Sequence, residues 1–281
     1  MPEPVTIAVV MACYNRRETT LRCLRSLMAQ KAPGVTLEVH LLDDASSDGT
    51  AAAVGAAFPD IQILAGDGDH FWGGGMHAAM RSAIATRYDY MLWLNDDVEL
   101  YPNAIASLID AHHRATAEQG DGLHVVSGPV QNPATGTVTY SGFKRTSRWR
   151  PAQLTRVEPV SGRLTSCDTL NGNCVLVPKA VVDRVGLIDP VFIQQLGDID
   201  YGYRVRKAGG SLWIAPDVVG ACAPNLGSPW PRSFRARLRR LLSPHGLPLR
   251  PWTTFMWRWG GAPGLALLSL SYGKALLRAS R

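Results

Sequence analysis

The first hundred residues alternate between two hydrophobic rhythms. VTIAVVMA (5–12) is a continuous apolar run, the signature of a strand covered on both faces. It gives way to RRETTLRCLRSLMAQ, where Leu21, Leu24, Leu27 and Met28 recur at helical spacing and Asn15 is placed to cap the helix. LEVHLLDD predicts a second strand, SDGTAAAVGAAF a small-residue helix and IQIL a short third strand. Met76 to Thr86 predicts an alanine-rich helix and DYMLWLN a fourth strand, with Pro102 at the start of the next helix. Such close alternation through about residue 130 predicts an α/β fold on a doubly wound, mostly parallel sheet.

Beyond residue 130 the rhythm changes. GTVTYSGF reads as a hairpin, and DTLNGNCVLVPKAVVDRVG as a buried strand and a short helix. Tyr201 to Ala208 reads as a helix closed by Gly209-Gly210, and SLWIAP as a last strand. The pattern divides the chain into 1–130, 131–225 and a tail, 226–281.

The polar positions break this pattern at defined places. Asp43-Asp44 end the second strand and Asn95-Asp96-Asp97 the fourth, so parallel strands bring both clusters to one sheet edge, where such folds bind ligands. Adjacent carboxylates resist burial unless a cation sits beside them; a polar turn capping the next helix is the plain alternative. In FWGGGM the backbone can approach a ligand closely or simply turn. Neither GxGxxG nor GxxxxGK[ST] occurs, which removes the usual dinucleotide and P-loop phosphate cradles.

Composition adds two points. The 281 residues, 46% hydrophobic and 19% charged, suit one large domain or two closely joined ones. Five cysteines without a CxxC pair argue against a disulfide framework or zinc site and fit a reducing compartment. The start of the chain, with Glu3 and no basic residue ahead of its apolar run, reads as a strand and not a signal peptide.

Charge is uneven. From Val218 onward the chain carries ten of its 29 basic residues and none of its 23 acidic ones, so the body is mildly acidic and the tail strongly basic. In RSFRARLRRLL, Phe234, Leu238, Leu241 and Leu242 share one helical face, as in an interfacial amphipathic helix. PWTTFMWRWGG mixes Trp with Arg as headgroup-level belts do, and the glycine-broken stretch from Trp259 to Tyr272 is too short to span a bilayer. The tail is expected on an anionic membrane surface; docking on the body or on a second subunit is the alternative, and a homodimer stays open. No nucleic-acid partner is expected.

Five segments in order, covering residues 5 to about 222, resemble the inverting family 2 glycosyltransferases of GT-A fold. VVMACYNRRETTLRCLRSL resembles that family's opening strand, Asn-Arg loop and helix; LLDDASSDGT its nucleotide-base motif; LWLNDDVEL its DxD element. GNCVLVPKAVVDRVGLID resembles the strand and helix before the acceptor side, and LGDIDYGYRVRKAGG the segment that carries the base.

The resemblance implies a nucleotide-sugar donor, a Mg²⁺ or Mn²⁺ ion and transfer to a glycan acceptor, lipid-linked, in bacterial surface polysaccharide synthesis at the cytoplasmic membrane face, with rhamnosyl-type transfer one subgroup. It places Ala12, Asn15, Asp43 and Asp44 against the nucleoside, Asp97 on the metal, Asp96 near ribose or sugar, and Trp72, Gly73 and Gly74 at the sugar. Asp198 becomes the base, Asp200 its orienting partner, and Arg204 and Arg206 neutralise phosphate or hold the acids. His70 and His77 are further candidates to line the site. On this reading 1–130 is the nucleotide-sugar half, 131–225 the acceptor half and 226–281 a basic helical tail. Asn95 and Gly197 stand where the family pattern has acids, and His77 where relatives often have Asn. They keep open an inactive glycosyltransferase-like binding module, beside a sugar nucleotidyltransferase.

Overall fold

The computed structural model describes residues 4–225, 227, 231 and 233–277. Glu3 and Leu226, where the start-of-chain reading and the tail boundary fall, lie outside them. In chain order the first half holds β1 (Val5–Cys13), α1 (Arg17–Met28), β2 (Val35–Asp43), α2 (Thr50–Ala57), β3 (Gln62–Ala65), α3 (Phe71–Ala83), β4 (Tyr90–Leu94), β5 (Glu99–Leu100), α4 (Ala104–Gln119) and β6 (His124–Ser127). The middle holds β7 (Val130–Gln131), β8 (Val138–Tyr140), β9 (Phe143–Arg145), β10 (Leu154–Arg156), β11 (Thr165–Cys167), β12 (Cys174–Pro178), α5 (Lys179–Val185), α6 (Gly197–Lys207), β13 (Ser211–Ile214) and β14 (Gly220–Ala221). The tail forms α7 (Phe234–Leu242) and α8 (Leu249–Leu277).

Eight strands make one mixed sheet in the order β11-β13-β6-β12-β4-β1-β2-β3. β1 runs parallel to both β2 and β4, so the C-terminal ends of these three strands share an edge. β12 enters antiparallel between β4 and β6 and carries the sheet into the second half of the chain. The unbroken apolar run of β1 is explained by burial on both faces: Ile7, Val9 and Met11 enter one core, Ala8 and Val10 the other.

Four local expectations need correction. β8 and β9 both form, but not as one hairpin: β8 pairs with β7 and β9 with β10. Asn15 does not cap α1; it adopts φ 50°, and its Oδ1 accepts from the amide and hydroxyl of Ser47. α3 begins at Phe71, so the three glycines lie within its first turns. SLWIAP is not the last strand, since β14 follows and pairs with β5 and β7.

The tail is not free. Phe255, Met256 and Leu268 of α8 are buried against Phe192, Leu196 and Tyr203 of the body, each such side chain contributing about 1.5–3 kcal/mol of apolar burial. Arg258 and Trp259, expected at a headgroup belt, turn inward to bind Asp200. α8 breaks at Gly261 (φ 60°), followed by Pro263. No helix among the described residues is long and apolar enough to cross a membrane.

Candidate active site

A cleft of about 1040 Å³ opens beyond the β4 end of the sheet, and Arg16, Trp72, Asn95, Asp97 and Asp198 line it together. Among the described residues four non-glycine positions have left-handed backbone, and all sit at turns leading into this edge or this cleft: Asn15 after β1, Ala45 after β2, Phe71 opening α3 and Leu196 before α6. For Ala, Phe and Leu this conformation costs roughly 1–2 kcal/mol each. Strain concentrated in this way marks a place where geometry is held for a purpose.

The acids divide by environment. Asp96 is buried; its Oδ1 accepts from Arg16 Nη1 at 2.9 Å and its Oδ2 faces Thr20 Oγ1 at 3.4 Å. Burial, outweighing the Arg16 charge and reinforced by Asp97, pushes its carboxyl up to about 7. Asp97 Oδ2 accepts from Arg16 Nη2 at 2.8 Å, whereas its Oδ1 is buried with no hydrogen-bond partner. An orphaned carboxylate oxygen beside the cleft fits a hard divalent cation, which takes one or two protein carboxylates and fills its shell with phosphate and water oxygens.

Asn95, at the position where an acid is the family pattern, is fully engaged. Its Oδ1 accepts from Trp72 Nε1 at 2.7 Å, its Nδ2 donates to Asn173 Oδ1 at 2.6 Å, and its amide donates to Asn173 O at 2.9 Å. A side chain that must accept from one neighbour and donate to another suits a carboxamide and not a carboxylate. Trp72 is thereby fixed with its ring edge tied to the end of β4.

Asp198 opens α6. Its Oδ2 accepts from the Gly172 amide at 3.0 Å and its Oδ1 from its helix neighbour Ile199 at 2.8 Å. Each oxygen keeps a second lone pair for a ligand. Desolvation raises its pKa despite these amides, which strengthens it as a proton acceptor. At the preceding residue, a Cβ on Gly197 would stand 3.0 Å from Ile188 Cγ2, so the family's glutamate has little room here.

The remaining expected residues lie elsewhere or are already occupied. Asp43 and Asp44 end β2, separated from β4 by β1, and do not line the cleft. Asp43 Oδ1 accepts from Ser46 N, and the two Asp44 oxygens accept from the amides of Gly68, His70 and Phe71. Asp44, Asp67 and His70 are the one group of three or more His, Cys, Asp or Glu residues among the described residues whose ligand atoms lie within 4.8 Å of one another. Because those amides already hold Asp44, we read the group as a hydrogen-bonded turn. Ala12 meets α3 at the end of β1, facing Gly75.

The amides of Gly73 and Gly74, expected to face a ligand, both donate to Ile193 O, at 2.7 and 3.2 Å. His77 Nδ1 contacts Ile188 O, away from the cleft. Asp200 is fully buried and faces the tail; Arg204 Nε holds it at 2.8 Å while Nη1 and Nη2 donate to backbone carbonyls, and Arg204 does not line the cleft where a phosphate would lie. Arg206 pairs with Asp168.

The structure adds residues that the sequence alone did not single out. Arg16 bridges both acids of the fourth-strand cluster, and Asn173 orders Asn95. From the tail, Arg240, Ser243, His245 and Trp252 complete the cleft wall, with His245 edge-on to Phe71 at 5.8 Å. Arg16 was legible as the neighbour of Asn15 in an Asn-Arg loop. The tail residues carried no such signal.

Comparison with known proteins bears on the family and the fold. The sequence profile described as Glycosyl transferase family 2 matches residues 8–159. The chain is 27% identical over 234 residues to "Glycosyltransferase AglE" of Haloferax volcanii, covering 78% of this chain and 66% of the relative. It is 35% identical over 124 residues to "Succinoglycan biosynthesis protein ExoO" of Rhizobium meliloti, 43% of this chain and 34% of the relative. To the "N-acetylglucosaminyl-diphospho-decaprenol L-rhamnosyltransferase" of Mycobacterium tuberculosis it is 26% identical over 252 residues, 76% of this chain and 74% of the relative. The chain thus spans less than two thirds of the first two relatives. GalNAc-T7, solved with UDP, GalNAc and Mn²⁺, shares the fold at a TM-score of 0.62 and 15% identity, over 85% of this chain and 48% of that one. The mannosyltransferase PcManGT of Pyrobaculum calidifontis, solved with GDP-Man and Mn²⁺, does so at 0.53 and 17%, over 97% and 77%.

Proposed function

We propose that this chain, which belongs to glycosyl transferase family 2, transfers a sugar from a nucleotide-sugar donor to a hydroxyl group of a glycan acceptor with inversion at the anomeric carbon. One observation carries the reading: Asp97, with its unpartnered oxygen, and Asp198, with its raised pKa, line one cleft. Arg16 after β1 and the residues that end β4 form the donor side (1–130), Asp198 and its surroundings the acceptor side (131–225), and the tail (226–281) closes the wall.

Asp198 accepts the proton of the acceptor hydroxyl as that oxygen forms its bond to the anomeric carbon. The bond from that carbon to the diphosphate breaks, and nucleoside diphosphate leaves. A positioned base of this kind contributes roughly 10²–10⁴-fold in rate. Asp97 would hold the Mg²⁺ or Mn²⁺ ion, whose chemistry when bound is to offset charge growing on the diphosphate. Arg16, already paired with both acids, neutralises their mutual repulsion. Trp72, held by Asn95, offers a flat apolar face where the sugar would lie.

A lipid-linked acceptor, a role in bacterial surface polysaccharide synthesis and residence at the cytoplasmic face of the membrane complete the proposal. The diphospho-decaprenol acceptor in one relative's name and the polysaccharide in another's support it. The test pairs binding with turnover. UDP, GDP and dTDP with their sugars are screened by thermal shift with and without Mn²⁺, because ligands of the native state raise its melting temperature. Asp198→Asn should keep the shift given by the preferred nucleotide and lose transfer by at least 10²-fold. Wild-type turnover in that variant would refute the assignment of the base.

A further inference from the structure

Asp200 lies two residues from the proposed base on the same helix, yet faces away from the cleft. At 3.6 residues per turn the two positions point about 200° apart around α6. Asp198 looks into the cleft and Asp200 toward α8. Asp200 is fully buried and both its oxygens are taken. Oδ1 accepts from Arg258 Nη1 and Trp259 Nε1 of α8, each at 2.8 Å, and Oδ2 from Arg204 Nε at 2.8 Å.

The other arm of Arg258 donates to Asp189 Oδ2 at 2.8 Å, and Arg204 donates to the carbonyls of Val185 and Leu187 at 2.7 and 2.8 Å. Two carboxylates and two guanidinium groups therefore join three segments: the turn before α6, α6 itself and α8. Aromatic packing backs them, with Tyr203 stacked on Phe255 and edge-on to Trp259 at 5.2 Å. Arg258 and Trp259 do not line the cleft.

We infer that Arg258 and Trp259 are positioning residues: by holding Asp200 they fix the rotation of α6 and hence the direction of the Asp198 carboxylate. The inference rests on the reading of Asp198 as the base. It makes the tail part of the catalytic apparatus, since the base stands on the body and is aimed from α8. A helix free to turn by even a fraction of a residue step would move that carboxylate off the hydroxyl it must meet, a loss in rate rather than in donor affinity.

The test uses the full-length chain and three substitutions. Trp259→Phe keeps the ring against Tyr203 and deletes one donor; Arg258→Gln removes the charge and Arg258→Lys retains it. Amide hydrogen exchange across α6, with α1 as internal reference, is measured beside kcat and donor KM for UDP-glucose, GDP-mannose and dTDP-rhamnose with Mn²⁺. Trp259→Phe should speed exchange in α6 at least tenfold with α1 unchanged. It should lower kcat at least tenfold with donor KM within twofold, and Arg258→Lys should retain more kcat than Arg258→Gln.

Unchanged α6 exchange in both Trp259→Phe and Arg258→Gln overturns the inference whether or not a donor is turned over. So does an equal acceleration in α1, which would mark a merely structural role. Asp198→Asn assayed alongside separates the two claims. If it retains wild-type turnover, the base is misassigned; if it is dead while Trp259→Phe keeps full kcat, only the positioning claim fails.

Discussion

The chemistry of single residues is set here by who already holds them. Asn95 departs from the DxD pattern because its side chain must both accept from Trp72 and donate to Asn173. Asp97 keeps an unpartnered oxygen because Arg16 takes only the other one. Asp198 is desolvated while accepting two amides, and desolvation is the larger effect, so its pKa rises. The consequence for pH has a definite sign. A base acts ionised, so under the proposed role transfer is retained above the Asp198 pKa and lost as pH falls through it; a raised value moves that acid limb upward. The pH profile of kcat/KM should lose about tenfold per pH unit below an apparent pKa higher than an ordinary aspartate's. A profile flat down to pH 4 would contradict the role of Asp198.

At the scale of elements, most strands and helices of the body were legible because their hydrophobic periods are long and unmixed. β1 and β4 read as apolar runs and α1 as a stripe, and each appears where expected. The start of α3 was not legible. Three consecutive glycines argue for a loop on propensity, since each weakens a helix by about 1 kcal/mol relative to alanine. They are tolerated because the backbone of 192–193 runs against this turn: the Gly73 amide donates to Ile193 O, and a Cβ at Gly73 would overlap the carbonyl oxygen of Phe192. At Gly74 the nearest neighbour would be His70 Cβ at 3.5 Å, an ordinary contact. The pair yields opposite expectations. Gly73→Ala should destabilise by roughly 2–3 kcal/mol, as overpacking against a backbone does, and Gly74→Ala should be neutral or stabilise by up to about 1 kcal/mol. Urea denaturation of the two variants checks this, and equal effects would refute the packing account.

At the scale of the whole molecule, the shared edge of β1 and β4 was legible as the candidate site because strand direction alone brings their polar ends together; the polar end of β2 lies on that edge but outside the cleft. The cleft's far wall was not. Arg240, His245 and Trp252 arrive from a tail whose amphipathic pattern reads equally as a membrane helix or as one docked on the body, because periodicity reports an apolar face and not what covers it. The two uses divide the tail's side chains. Phe255, Met256 and Leu268 are spent on the body, whereas Phe234, Leu238 and Trp257 stay exposed at 55%, 38% and 62% amid a chain segment with no acidic residue. An exposed apolar set of this kind, each member worth about 1.5–3 kcal/mol when buried and flanked by cations worth about 1 kcal/mol each near an anionic leaflet, suits a vesicle surface. Truncating the tail cannot test this, since it would strip Asp200 of two partners. Substituting the three exposed residues by serine spares Phe255, Met256 and Leu268 and the bonds of Arg258 and Trp259 to Asp200. In flotation with vesicles containing 30% phosphatidylglycerol, a proportion chosen to give about the surface charge of an anionic leaflet, the full chain should rise with the lipid. The triple variant should do so at least fivefold less, with its melting temperature unchanged. Equal recovery would assign the tail wholly to the body and remove the membrane from the proposal.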